Sequence, residues 1–294
     1  DKYNGSLRAS KSWFFFGNRI VCMGSDIENK AGGGLHTTLF QNFLENVSDT
    51  LVVNGEAVTQ FPYRAELAGG AVLRDNLHNV WFVPEGKVCV TKRLQRSLDE
   101  ETDAPTQNDF ATAWIDHGSG VVSGGGYEYM LVVHASDGEA ARYARELPYE
   151  VLRRDASAHI LRDRLSGAVG YALFASGKVG EGLLESVSLP SLVMIGGDGG
   201  GLTVSAADPD LRFYEGPGDE VFDADGKRVE RSVYSRKWID NPSGASQLEV
   251  VIRGRWQPDG DTPGCRIAVE GANTSLTFTC REGATREVNL IEMK

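Results

Sequence analysis

Four large aromatic side chains follow one another from Trp13 to Phe16, and this run limits the possible folds more than any other feature. A membrane-spanning helix needs about 20 consecutive apolar residues, so a run of four is far too short to cross a bilayer. The turn-forming pair Gly17-Asn18 comes next, and a second apolar run extends from Ile20 to Met23. Two short apolar runs joined by such a pair predict a tight β-hairpin.

The hairpin also makes a prediction about its surroundings. Successive side chains of a strand face opposite sides of the sheet, so Trp13 and Phe15 share one face, and Phe14 and Phe16 share the other. Because both faces are apolar, the pattern predicts a hairpin that is covered on both sides within a large sandwich. The alternative is that the rings form an exposed platform for sugar rings.

The rest of the chain supports an all-β class. Strand signals recur about every eight to twelve residues, which is typical of sandwiches. They include a hairpin that turns at Asn54-Gly55 and another that turns at Pro84 to Gly86. Only the segment from Ser136 to Pro148 reads as a helix, with Ser136 or Asp137 as its N-cap. A chain of 294 residues can also bury a sizeable core.

A glycine- and serine-containing segment, Ala175 to Leu192, suggests the boundary between two domains. We therefore predict a larger β domain over residues 1–188 and a smaller one over residues 189–294. The smaller domain contains a hairpin around the glycine-rich loop Gly196 to Gly201 and a polar stretch from Glu215 to Ala245.

The charge balance limits the possible partners. The net charge is −11, which argues against nucleic acid, because phosphate neutralisation requires a basic face. No stretch is apolar enough for a membrane span. Lys92, Arg93 and Arg96 form the best local candidate for contacting an anionic polysaccharide, although adjacent strand residues face opposite ways. An ordinary solvated surface is the alternative reading of this cluster.

No catalytic, cofactor or metal site emerges from the residues alone. The loop Gly196 to Gly201 lacks the lysine and the following helix of a phosphate loop. Asp116 and His117 resemble part of a serine triad, but adjacent strand residues face apart and no serine occupies a strand-to-helix elbow. The five histidines and four cysteines show no metal-ligand spacing.

Several motifs together resemble polysaccharide lyase family 8, which includes hyaluronate, chondroitin and xanthan lyases. The first are "KSWFFFGNRIVCMGSDI", "TTLFQN", "AWIDHG" and "YEYMLVV". The later motifs "YEVLRRDASAHILRDRLSGAVGYALF", "PSLVMI", "LTVSAADPDL" and "NTSLTFTC" are similar in order and spacing to the chondroitin ABC lyases. The resemblance covers nearly the whole chain and is weakest from Glu215 to Ala245.

The resemblance implies a secreted or periplasmic lyase that cleaves glycosaminoglycans by β-elimination at uronic acids. In that family an N-terminal α-helical toroid carries the catalytic residues, and a large β-sandwich (the supersandwich) and a small C-terminal β-sandwich follow it. This chain is then expected to begin inside the large sandwich, after the toroid, and we assign no catalytic residue to it. The toroid and an anionic polysaccharide are the expected partners. The alternative is a stand-alone carbohydrate-binding or structural β module.

The cysteines allow one further prediction. A hairpin centred between Ala272 and Asn273 would place Cys265 directly opposite Cys280, within disulfide range. The secreted location that the resemblance implies favours the bond, whereas two buried thiols that merely pack are the alternative. Cys22 and Cys89 lie in separate strands and are expected to be free and buried.

Overall fold

The computed structural model describes residues 6–197, 200–212, 221–222, 224–225, 228–229 and 243–293. These residues form antiparallel strands and a single α-helix, which confirms the predicted all-β class. That helix is too short to cross a bilayer. The chain divides into two compact units, residues 1–165 and residues 166–294. Most of the predicted polar stretch, Glu215 to Ala245, lies outside the described residues.

The described residues of unit 1 form thirteen strands and one helix. They are β1 (Leu7–Phe16), β2 (Arg19–Asn29), β3 (Gly34–Phe43), β4 (Leu51–Val53), β5 (Glu56–Val58), β6 (Tyr63–Leu67), β7 (Ala71–Arg74), β8 (Val80–Val83), β9 (Lys87–Leu98), β10 (Pro105–Ser119), β11 (Val122–Val132), α1 (Asp137–Arg145), β12 (Tyr149–Arg154) and β13 (Ala158–Asp163).

Two sheets of unit 1 share one apolar core. Sheet A has the strand order β1-β2-β11-β8-β7-β4-β5, and sheet B has the order β3-β10-β9-β6. Side chains from both sheets meet in the core, among them Leu39, Leu73, Trp81, Val90 and Ile115. Unit 1 is therefore a sandwich, as predicted. The hairpin β12–β13 contacts β1 and β2.

The first hairpin forms as predicted, and β2 is covered on both faces, but the predicted cover on both faces is wrong for β1. β1 and β2 pair up to Phe16 and Arg19 on either side of the turn. Phe14 and Phe16 are buried, whereas 54% of Trp13 and 63% of Phe15 are exposed. β1 is the edge of a seven-stranded sheet whose partner has only four strands. Sheet B is too narrow to cover all of sheet A, and its cover does not reach these two rings.

The expected hairpin at Pro84 to Gly86 is also wrong, whereas the hairpin at Asn54-Gly55 is confirmed. β8 already pairs with β7 and β11 in sheet A, so no edge of β8 remains for β9. β9 instead pairs with β10 and β6 in sheet B. Pro84 to Gly86 thus form an arch that carries the chain from one sheet to the other.

The helix begins and ends close to its predicted limits. Ser136 is the N-cap, and its hydroxyl oxygen accepts a hydrogen bond from the Glu139 backbone N–H at 3.2 Å. Glu139 Oε2 accepts in return from the Ser136 N–H at 3.0 Å, completing a capping box.

The strands of unit 2 are β14 (Val169–Leu173), β15 (Gly177–Glu181), β16 (Leu184–Val187), β17 (Ser191–Gly196), β18 (Gly201–Ala207), β19 (Val221–Phe222), β20 (Arg228–Val229), β21 (Ser246–Arg253), β22 (Trp256–Pro258), β23 (Cys265–Glu270), β24 (Asn273–Cys280) and β25 (Arg286–Glu292). Within this unit one sheet has the order β14-β17-β18-β25-β22 and another the order β15-β16-β21-β24-β23. The predicted hairpin at Gly196 to Gly201 is the β17–β18 pair; residues 198 and 199 of its loop lie outside the described part.

The division between the units differs from the predicted one, which lay after residue 188. The segment Ala175 to Leu192, which suggested a flexible connection, contains β15, β16 and the start of β17. Its glycines serve the β15–β16 hairpin: Gly180 and Gly182 both have positive φ angles, of 78° and 56°. Gly182 is in the turn, and Gly180 lies at the register irregularity between Lys178 and Glu181 of β15; glycine adopts both conformations at little cost.

The predicted register of the β23–β24 hairpin is wrong by two residues. Cys265 lies opposite Phe278, and Glu270 lies opposite Asn273. The turn therefore holds only Gly271 and Ala272, and its centre lies one residue earlier than predicted. Cys280 becomes a diagonal neighbour of Cys265, at a typical distance of about 7 to 8 Å, beyond the usual span of a disulfide. All four cysteines are free and buried, as expected for Cys22 and Cys89.

This register predicts how many thiols the chain exposes when it unfolds. In denaturant without a reductant, we expect four reactive thiols per chain, because Cys265 and Cys280 are not directly opposed. A colorimetric thiol count with and without prior reduction measures this. Two thiols before reduction and four after it would restore the disulfide and require a shifted hairpin.

Candidate substrate-contact site

Lys92, the first of the predicted polysaccharide contacts, points into the sandwich. Its side chain is fully buried. The Nζ atom donates hydrogen bonds to the backbone oxygens of Asp49 at 2.8 Å and Thr59 at 3.3 Å. Burial lowers the pKa of Lys92, and the nearby Asp49 charge opposes that effect. Lys92 therefore has no surface with which to contact a polysaccharide.

Arg93 and Arg96 are both exposed, but they lie on opposite faces of β9. Arg93 is opposite Phe110 on β10, and Arg96 is opposite Gln107 near the end of the same ladder. Neither guanidinium forms an ion pair or a hydrogen bond with another described residue. The expected polysaccharide contact remains a prediction for these two arginines, and the structure does not combine them into one patch.

Arg93 belongs to the outer face of sheet B, the face turned away from the core. Strand register arranges this face in four rows across β3, β10, β9 and β6. From one end to the other, the rows are Phe43–Phe110–Arg93, then Gln41–Thr112–Thr91–Arg64, then Thr38–Trp114–Cys89–Glu66, and last His36–Asp116–Lys87. Phe110 and Asp116 are six positions apart in β10, so the rows extend over about 20 Å along the strands.

One half of the outer face is built from rings and amides. Gln41 Nε2 donates to Gln95 Oε1 at 2.5 Å, and Gln95 Nε2 donates to Thr112 Oγ1 at 2.8 Å. The rings of Phe43 and Phe110 meet edge to face, with centroids 6.2 Å apart. These contacts orient hydrogen-bonding groups and aromatic carbon toward the same surface.

The other half carries a chain of ion pairs. Glu66 contacts Arg64 at 2.6 Å and Lys87 at 3.0 Å, and Lys87 contacts Asp116 at 3.2 Å. The hydrogen bond from Arg64 is the largest cause of the lowered pKa of Glu66. The Gly118 backbone N–H and Lys87 lower the pKa of Asp116. These carboxylates therefore remain ionised well below neutral pH.

Asp116 and His117 do face apart, as the strand alternation predicts. Asp116 lies in the ion-pair chain, whereas His117 Nε2 is 2.8 Å from Thr37 Oγ1. Burial lowers the pKa of His117. The pair forms no triad. In addition, no group of three His, Cys, Asp or Glu side chains within the described ranges is placed to hold a metal.

A serine–histidine pair that the sequence did not reveal lies beneath the β12–β13 hairpin. Ser12 Oγ is 2.7 Å from His159 Nδ1, and Ser25 Oγ is 2.8 Å from His159 Nε2. Ser25 donates its hydroxyl proton to the Asp155 carbonyl oxygen at 2.9 Å. It must then accept from Nε2–H. Because burial lowers the pKa of His159 to about 4, the ring is neutral at pH 7 and Ser12 donates to Nδ1. The ring is 0% exposed, and no substrate can reach it.

The same layer holds a buried ion pair. The guanidinium of Arg19 contacts both carboxylate oxygens of Asp163, and Asp163 is fully buried. Nearby, the Tyr149 hydroxyl donates to Glu128 at 2.8 Å, and Arg154 contacts Glu128 and Glu85. These groups are paired with one another inside the unit, so the layer holds β12–β13 in place and offers no open chemical site.

Known proteins match the chain along its whole length. The model of the polysaccharide lyase family 8 super-sandwich domain matches residues 1–144. Residues 1–144 belong to the super-sandwich domain of polysaccharide lyase family 8. It is 36% identical to the chondroitin sulfate ABC exolyase of Bacteroides thetaiotaomicron, over 99% of this chain and 28% of that protein. It is 34% identical to the exolyase of the same name from Proteus vulgaris, over 89% of this chain and 26% of that protein.

The match to solved structures concerns the fold alone. A Paenibacillus xanthan lyase superimposes with a TM-score of 0.78 at 17% identity, over 99% of this chain and 27% of that one. The expected family is thus confirmed, as is the expectation that the resemblance covers a C-terminal region. The chain spans less than a third of the length of the relatives it matches.

The burial of Lys92 predicts a structural role. Lys92→Ala should lower the free energy of unfolding by about 2 to 4 kcal/mol, because it leaves a cavity and removes the partner of two carbonyl oxygens. Arg96→Ala on the same strand should change it by at most about 0.5 kcal/mol. Urea unfolding measures both. A Lys92→Ala variant as stable as Arg96→Ala would contradict the buried position.

His159 predicts a pH dependence of stability. Burial, the largest cause, and then Arg154 lower its pKa from 6.5 to about 4 in the folded chain. Between about pH 6.5 and pH 4, His159 therefore binds a proton in the unfolded chain but not in the folded chain. The associated stability is complete above pH 6.5 and is lost as the pH falls, by up to about 3 kcal/mol.

Urea unfolding between pH 7 and pH 4 tests this. We expect the free energy of unfolding to fall with pH in the parent chain and to fall less in His159→Asn. His134 is exposed, so His134→Asn should follow the parent profile. Equal slopes for the parent chain and His159→Asn would show that this ring does not set the dependence.

Proposed function

We propose that this chain is the C-terminal β region of a secreted or periplasmic glycosaminoglycan lyase. In this proposal the whole enzyme acts by β-elimination at uronic acids of chondroitin sulfate, dermatan sulfate or hyaluronan. The observation that carries the proposal is the 36% identity to a chondroitin sulfate ABC exolyase over 99% of this chain. The second exolyase relative, at 34% identity, supports the same assignment.

The proposed role of the chain within that enzyme is to support the helical catalytic domain and to form one wall of its cleft. Exposed apolar surface supports this role. Trp13 and Phe15 lie uncovered on β1, which is also an edge strand of sheet A among the described residues. Exposed contiguous apolar surface marks a site of interaction, and an open strand edge offers unpaired backbone groups. In this proposal the remainder of the lyase covers both.

The chemistry explains why this region needs the rest of the enzyme. β-Elimination requires a positioned base to remove the C5 proton of the uronic acid and polar groups to stabilise the charge that develops at its carboxylate. The Ser12–His159 pair is sealed from solvent and cannot serve as that base. In this proposal the reacting residues come from the N-terminal toroid that the family resemblance implies.

A second candidate is a stand-alone carbohydrate-binding or structural module. The rings, amides and cations on the outer face of sheet B favour a carbohydrate-binding module, because such groups can contact a sugar ligand. The overall charge of −11 disfavours a module whose main task is to hold a polyanion unaided. The coding sequence upstream of Asp1 discriminates the two: a helical toroid there supports the lyase.

The proposal predicts that the pure chain does not generate unsaturated uronides from chondroitin sulfate, since it assigns the base that elimination requires to the toroid. Ultraviolet absorbance of the conjugated product measures this, with the protein that also contains the toroid as the active control. Turnover by the pure chain that survives repurification would overturn the assignment of catalysis to another domain. Inactivity of the longer protein on every uronic-acid polymer would overturn the lyase assignment itself.

A further inference from the structure

The outer face of sheet B is too polar to pack against another apolar sheet. Its ion-pair half exposes Arg64, Glu66 and Lys87. Covering these charges with apolar side chains would remove them from water, a large cost that ion pairing only partly offsets. The inner face of the same strands shows the contrast, since Val88, Val90 and the alanines of β10 are buried there. A partner for the outer face must itself form hydrogen bonds.

Two buried polar atoms in the middle of this face have no partner. They are Thr91 Oγ1 and Trp114 Nε1, and no other buried side-chain polar atom described in unit 1 is in this condition. Register makes the two residues diagonal neighbours, because Thr91 is opposite Thr112 and Trp114 is opposite Cys89. Thr91 is only 3% exposed. Buried polar groups are almost always hydrogen-bonded, so each exception needs an explanation.

We infer that the outer face of sheet B binds a segment of polysaccharide, with Trp114 at its centre. The half-buried Trp114 ring lies beside His36, their centroids 5.4 Å apart, and presents aromatic carbon to the C–H face of a sugar. The Trp114 N–H and the Thr91 hydroxyl lie just beneath this surface without partners, and in this inference sugar hydroxyls satisfy them when neighbouring side chains move aside. Gln41, Gln95 and Thr112 extend the same polar surface beside them.

The charges of the face select an anionic sugar. Arg64, Lys87 and Arg93 contribute three cationic groups against the two carboxylates of Glu66 and Asp116, on a chain whose net charge is −11. Arg93 forms no ion pair within the described part of unit 1, so its guanidinium is available to a carboxylate or a sulfate. The choice of a glycosaminoglycan as the ligand rests on the proposed function. The binding face itself rests on the geometry.

Indole N–H signals in nuclear magnetic resonance spectra report on this site directly. We expect the Trp114 indole signal, assigned with the Trp114→Phe variant, to shift saturably when a chondroitin sulfate hexasaccharide is added to the chain. Trp81 Nε1 donates to Asp75 at 3.0 Å and Trp256 Nε1 donates to the Arg253 carbonyl at 2.8 Å. Their signals should stay in place, which makes them internal references. No shift of Trp114 at millimolar hexasaccharide would overturn the inference.

Three variants separate a specific face from general charge attraction. Arg93→Gln should weaken hexasaccharide binding at least threefold and reduce its salt dependence. Arg266→Gln, an exposed and unpaired arginine among the described residues of unit 2, is the matched control and should bind like the parent chain. Thr91→Val removes the unpartnered hydroxyl at nearly constant volume, so it should weaken binding without lowering the unfolding midpoint. Equal losses for Arg93→Gln and Arg266→Gln would overturn the inference.

A neutral probe separates this inference from the proposed function. If chitohexaose shifts the Trp114 signal and the chondroitin hexasaccharide does not, the anionic ligand is wrong. If the chondroitin hexasaccharide binds at Trp114 but the longer protein cleaves no uronic-acid polymer, the lyase proposal fails and the binding face stands. Activity of the longer protein without any Trp114 shift in this chain overturns the binding face and leaves the lyase proposal intact.

Discussion

The burial of β2 on both of its faces is the constraint on which unit 1 depends. Val21, Cys22 and Met23 are consecutive, and all three are almost completely buried. Because their side chains alternate, one face of β2 needs sheet B and the other needs the β12–β13 hairpin. Apolar contacts fill the middle of the second face, whereas Arg19 and Ser25 at its ends bond to Asp163, His159 and Asp155. Sheet B, sheet A and the β12–β13 hairpin therefore form three layers, with β2 in the middle one.

Local features of the fold could be predicted from the sequence because they depend on neighbouring residues. The turn at Gly17-Asn18, the capped helix at Ser136 and the β17–β18 hairpin each follow from turn chemistry and short-range pattern. Tyr127 and Tyr129 share a face as alternation requires, and their rings stack with centroids 5.9 Å apart. The order of several such motifs was enough to indicate the family.

Features that depend on distant strands could not be predicted. Whether Trp13 is covered is decided by the width of sheet B, and whether Lys92 reaches solvent is decided by the loops that carry Asp49 and Thr59. A basic triplet on a strand therefore gave a plausible contact site whose first member is internal. The rows around Trp114 bring together β3, β6, β9 and β10, and no short-range pattern signals that meeting.

The arch from Pro84 to Gly86 has a kinetic consequence. Because β8 and β9 belong to different sheets, these two strands, although consecutive in the chain, do not pair as a local hairpin. One edge of β8 pairs with the neighbouring strand β7. Its other edge pairs with β11, whose residue Met130 comes almost fifty positions after Phe82. Pairing between such distant strands first requires a long loop to close. The entropy cost of that closure precedes the stabilising contacts, which slows folding. The local hairpins β1–β2, β4–β5 and β7–β8 are the parts of sheet A that can form early, and β11 then joins β2 to β8.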